Sequence, residues 1–236
     1  MRKQTKVWCT LLSLCLGISS LAVHSQAYSG SAASTYAGNY WKTYNSNYPS
    51  YSSDCTNFVS QCLYAGGLRG TGLPASKVKI TSYGKTYMCD TTYWSCDSYT
   101  TRLAGFTLKS GLIPTSTWTV VDEPAGSKNA GLQDWLINGK GFTATVVAAN
   151  SKSGIDNLIS NAKQGDVIQI MHKGDKRYSH SYLVGKKAYN KSYATYDLYL
   201  YAHTGNRGAT STDTLRYLIG LQTIKSTDTV CLISVQ

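Results

Sequence analysis

Cys55, His180 and His203 are the residues of this chain whose types could together break an amide bond. Cys55 opens "CTNFVSQCLYAGG", a stretch that reads as a short helix, and Asp54 before it is a residue type favoured at helix N-caps. A thiol at a helix start meets unpaired N–H groups and the positive end of the helix dipole, both of which favour its thiolate. The same N–H groups could hold the oxyanion formed on an attacked carbonyl. A nucleophilic cysteine also needs a base, and the base needs an orienting partner.

Beyond residue 27 the chain has three histidines, His172, His180 and His203. His180 opens the alternating stretch "HSYLVGKK" and His203 closes "YDLYLYAH". If residues 188–195 connect two antiparallel strands, Lys187 faces Tyr196 and His180 faces His203. Opposed residues point to one side with Cβ atoms about 5 Å apart, so one imidazole could act as base and the other orient it. Asp197 or Asn206 is the fallback third member should His203 point elsewhere. Tyr51 is a tentative hydroxyl donor to the oxyanion, and Asp54, besides capping, could bind a substrate amine. His172, in "MHKGDKR", reads as a solvated loop residue, Cys62 as a packed core thiol, and Asn57 and Gln61 as the solvent side of the helix.

The elements that must position these groups follow from periodicity. Ala33–Tyr44 and Cys55–Ala65 carry helical stripes, and shorter helices are expected over 129–138 and 155–162. Residues 68–130 are rich in Gly, Pro, Ser and Thr and read as loops with short strands or turns. From Gly165 the pattern changes to strands, ending in Val230–Val235. Helices first and an antiparallel sheet later define an α+β chain.

The N-terminus addresses the protein. Arg2, Lys3 and Lys6 precede the apolar run Val7–Val23, and Ser25-Gln26-Ala27 offers small residues to a signal peptidase. Residues 1–27 are thus expected to be a cleaved signal peptide, leaving 28–236 as a single secreted domain without stable membrane insertion. The three basic residues lost leave 20 Lys and Arg against 12 Asp and Glu, a net charge of +8. Such a protein is attracted to anionic cell-wall polymers; its scattered basic residues and lack of a nucleic-acid motif argue against nucleic acid. Five cysteines then remain, an odd number, and Cys89 and Cys96, bracketing "CDTTYWSC", are the tentative disulfide pair. No C-x-x-C spacing occurs, and no cofactor or metal is expected; a zinc site on His180 and His203 would lack a third ligand at metal spacing.

"DCTNFVSQCLYAGG", "GDVIQI", "SHSYLV" and "YAHTGNR" together resemble, in order and spacing, the family named Putative amidase domain, found in exported bacterial proteins and related to CHAP and NlpC-type papain-like hydrolases. The resemblance frames about residues 33–210. It implies a papain-like fold, with the nucleophile helix packed on the sheet, Cys55 as nucleophile, His180 as base and His203 as third member. The expected activity is a cysteine amidohydrolase or peptidase, most readily on peptidoglycan peptides. The competing expectation is a non-catalytic cell-surface-binding module on the same fold.

Overall fold

The computed structural model describes residues 27–124 and 126–236; the expected signal peptide, save Ala27, lies outside them. Its framework is a six-stranded antiparallel sheet of β3 (Thr143–Ala148), β4 (Val167–Met171), β5 (His180–Asn190), β6 (Thr195–Ala202), β7 (Arg207–Gly208) and β8 (Thr229–Ser234), in the order β3-β8-β4-β5-β6-β7. The mixed helix and antiparallel-sheet composition agrees with the α+β class. No helix among the described residues is long and apolar enough to cross a membrane.

Alternation along the strands divides the core in two. Val167, Leu183, Cys231 and Ile233 pack against α1 (Gly30–Tyr40) and α2 (Cys55–Ala65). Ile168, Tyr182, Val184, Leu198 and Leu200 pack on the opposite face against α5 (Lys152–Asn161) and α6 (Leu215–Gly220). Helix α1 is capped by the Ser29 hydroxyl, which accepts from Ala32 N–H. The helix expected over 129–138 is a short α4 (Leu132–Asp134) running into a π-turn, Trp135–Gly139.

Helix α2 matches its expected bounds, but every residue from Cys55 to Leu63 is buried. The segment 68–130 covers it through α3 (Ser116–Thr119), with Trp94 and Trp118 in the shared core, and also forms a separate hairpin of β1 (Cys96–Leu103) and β2 (Phe106–Pro114). Asn57 and Gln61 therefore do not face solvent. Asn57 donates to Pro49 O and Asp54 Oδ1 and accepts from Trp118 Nε1, while Gln61 Oε1 accepts from the Tyr36 hydroxyl. Buried polar groups require such partners.

The register of β5 and β6 differs from the expected one. The strands run further into the hairpin, so Lys187 faces Leu198 rather than Tyr196. Between Val184 and Lys186 the pairing slips by one residue at Gly185, a bulge. Leu183 then faces Tyr201, and the continued ladder brings Ser181, not His180, level with His203. A shift of one residue reverses the face of every side chain beyond it.

Gly185 fits there because a Cβ would meet the Tyr201 ring at 2.5 Å and Ala209 Cβ at 3.1 Å. Gly185→Ala is therefore expected to destabilise the fold by about 1–3 kcal/mol through overpacking, read from the urea midpoint at unchanged slope.

Candidate active site

Cys55 is the first residue of α2 and only 5% exposed. Its Sγ lies 3.8 Å from Thr56 Oγ1, whose oxygen is 3.4 Å from Ser181 Oγ. Burial pushes the Cys55 thiol above its ordinary range, the nearby Asp54 charge adds a smaller push, and the Ser181 and Thr56 backbone N–H groups oppose them. Among the described residues the sulfur's hydrogen-bonding neighbour is the Thr56 hydroxyl, and it makes no hydrogen bond to an imidazole.

Asp54 is not the expected side-chain cap. Its carboxylate accepts from Tyr51 N–H and Asn57 Nδ2 through Oδ1, and its Oδ2 lies 2.5 Å from His203 Nδ1. The other ring nitrogen, Nε2, donates to Tyr40 O at 2.7 Å. Both nitrogens of His203 are thus engaged, one by the Asp54 carboxylate and one by Tyr40 O. The ring is stacked on Phe58 at 4.0 Å and meets Tyr44 edge-on. His203 is thus a clip joining the ends of α1, α2 and β6, with no nitrogen left to orient another residue.

His180 lies on the other face of the sheet. It pairs with Ile170 across β4, stands edge-on to Tyr182 at 4.3 Å, and lines a cavity of about 470 Å³ with His172, Arg207, Thr204 and Thr223. His180 and His203 therefore do not lie side by side, because the bulge at Gly185 reverses their relative faces; nor can they share a metal ion. The fallback residues do not replace His203. Asp197 is buried and spent on Asn190 and the Leu198 and Arg216 N–H groups, and Asn206 sits at positive φ in the turn after His203.

The remaining expectations divide. Tyr51 is half-buried and its phenol is pushed up to about 12, mainly by burial; its backbone N–H, not its hydroxyl, has a partner at the site, Asp54 Oδ1. Cys62 is a fully buried core thiol as expected. Cys89 and Cys96 are separate thiols: Cys89 Sγ lies among Ser116 Oγ, Thr117 Oγ1 and Tyr93 O, while Cys96 begins β1. His172 is no free loop residue, since its Nδ1 lies 2.8 Å from Asp228 Oδ2. Ser181, Thr204 and Arg207 escaped the sequence reading. Thr204 links the two regions, accepting from Asp54 N–H while lining the His180 cavity.

The site now stands beside known proteins. The family described as Putative amidase domain matches residues 27–225, most of the chain, and the chain belongs to it. Membership of an amidase family points to amide hydrolysis. Among curated proteins, "Uncharacterized protein YhbB" of Bacillus subtilis (strain 168) is 26% identical over 156 residues, covering 64% of this chain and 35% of that protein. The chain thus spans about a third of that relative's length. No solved structure matches the chain at a significant level.

Two measurements check this geometry. Breaking either side of the buried Asp54–His203 pair should cost about 3–5 kcal/mol, because the partner is left uncompensated. A double-mutant cycle of Asp54→Asn and His203→Gln by urea unfolding should show coupling of about 1 kcal/mol or more; simple additivity would contradict the clip. His180 is pushed down to about 4, first by burial and then by the charges of His172 and Arg207. The unfolded chain takes up this proton near 6.5 and the folded protein near 4, so stability is full above 6.5 and falls as pH drops between them. The loss is up to about 3 kcal/mol, and His180→Gln should flatten this part of the stability–pH curve relative to wild type.

Proposed function

We propose that this chain is an exported cysteine-dependent amide hydrolase of papain-like arrangement, acting on peptide amides such as those of peptidoglycan. The observation that carries the reading is local: the thiol opens α2, Ser181 Oγ lies 3.4 Å from the Thr56 hydroxyl that neighbours its sulfur, and His180 immediately precedes Ser181. Attack by the Cys55 thiolate would form a tetrahedral oxyanion at the N-terminus of α2, whose unpaired N–H groups favour negative charge. His180 would then protonate the leaving amine, and water would release the acyl group. The net charge of +8 expected after signal cleavage suits an anionic wall.

The described geometry is a closed one, with a buried thiol and His180 turned to the opposite face. Catalysis on this reading requires the first residue of β5, which follows the turn at 172–179, to leave its pairing with Ile170 and turn over toward the sulfur when substrate opens the site. A second reading draws on the same closed geometry: a surface-binding module that keeps the fold and cuts nothing.

Digestion of purified peptidoglycan with mass analysis of the products separates them. The hydrolase reading expects release of peptide fragments by wild type and almost none by folded Cys55→Ala or His180→Ala, since general base catalysis alone contributes about 10²–10⁴-fold. Cys62→Ala should retain activity with a stability loss of about 1–2 kcal/mol. Unchanged turnover in folded Cys55→Ala would sink the mechanism, and wall binding without any cleavage would favour the module.

A further inference from the structure

The cavity lined by His180 has a definite ligand chemistry. Its polar wall includes Arg207, His172, His180 and Thr204, its apolar wall includes Ile170 and Ile224, and no acidic side chain lines it. The two nearby carboxylates are already occupied. Asp228 faces His172 and accepts from the Lys173 and Lys225 N–H groups. Asp213 accepts from the Gly208 and Thr210 N–H groups, the Thr210 hydroxyl and Arg207. Arg207 makes one hydrogen bond among the described residues, from NH1 to Asp213 at 3.3 Å, leaving four of its five N–H groups without a protein partner. Its side chain is 25% exposed, so the guanidinium is partly withdrawn from water yet reachable. His172 is held on Asp228 through Nδ1 and turns the rest of its ring to the cavity.

A planar fork with four unused donors, flanked by imidazoles and hydroxyls, with no acidic side chain in the cavity lining and its charge already shared with Asp213, suits a planar anion of single charge. We propose that this cavity binds the free carboxylate of a peptide's C-terminal residue, with Arg207 as the main contact, His172 and Thr204 beside it, and Ile170 and Ile224 against a small apolar side chain. The consequence for the reaction rests on the hydrolase reading above. On that reading His180 turns from this cavity to the sulfur and protonates the leaving amine, so a carboxylate held here stands on the leaving-group side of the scissile amide, and the reaction is release of a C-terminal amino acid. The acyl carbon exchanges its bond to nitrogen for one to Cys55 Sγ, and the thiol proton passes through His180 to the amine. Water then splits the thioester, giving a free acid and restoring the thiol.

The test separates binding from turnover. Folded Cys55→Ala protein is titrated by calorimetry with N-acetyl-Ala-Ala as the free acid and as its C-terminal amide, and wild type is assayed on the same pair. The free acid should bind at least about tenfold tighter than the amide, in keeping with charge-assisted pairing. Arg207→Gln should erase that preference, and Arg207→Lys, which keeps the charge and the partner for Asp213, should lower it several-fold. Equal binding of acid and amide, a preference surviving in folded Arg207→Gln, no binding at millimolar acid, or tighter binding of inorganic phosphate would each overturn the assignment. Acid preference without cleavage keeps the carboxylate site and removes the hydrolase reading; cleavage without acid preference does the reverse.

Discussion

The bond between Asp54 and His203 is the interaction on which the site's architecture depends. It ties the start of α2 to the end of β6, and through His203 Nε2 to the end of α1. Asp54 precedes Cys55, so the clip also fixes where the thiol sits over the sheet. Its energetic logic is that of a buried polar pair with every partner present: both ring nitrogens are engaged, and the carboxylate also takes N–H groups from Tyr51 and Asn57. Taking charges out of water is costly, and the arrangement is stable only because no partner is missing. The functional consequence is that the third histidine of the sequence serves the fold.

A second constraint sorts the chemistry onto two sides of one strand. Ser181 turns toward Thr56 and the Cys55 sulfur, whereas its neighbour His180 turns into the cavity with Arg207 and His172. One residue of β5 separates the two sides, and the bulge at Gly185 sets which residue falls on which. The face of His180 also explains its charge state, since burial first, and the cationic neighbours next, favour a neutral ring. A neutral imidazole can accept a thiol proton. Thr204 spans the two sides, bonded to the backbone of Asp54 while lining the cavity.

Much of this was legible in the sequence where one physical signal dominated. The stripe of Phe58, Val59, Cys62 and Leu63 bounded α2, and the β-branched run near the C-terminus marked β8. What failed was what depends on distant partners. Asp54 has the residue type of a cap, yet His203, far away in sequence, claims its carboxylate. Asn57 and Gln61 read as solvent-facing because periodicity cannot see that the segment 68–130 covers the helix. The two-histidine pairing failed at Gly185, since a glycine inside an alternating strand gives no count of the residues opposite it. Strand β3 and helix α6 are short elements whose pairing and packing come from β8 and β6, and neither stands out in local pattern.

The central claim is that Cys55 carries the covalent step, and labelling with a substrate-like electrophile tests it most directly. A peptide vinyl sulfone ending in a free carboxylate is incubated with the protein under non-reducing conditions, and the modified thiol is located by peptide mass mapping. The account predicts a single adduct, on Cys55, that forms far more slowly in His180→Ala. An adduct on Cys96 or Cys89 with Cys55 untouched, or a rate indifferent to His180, would contradict it.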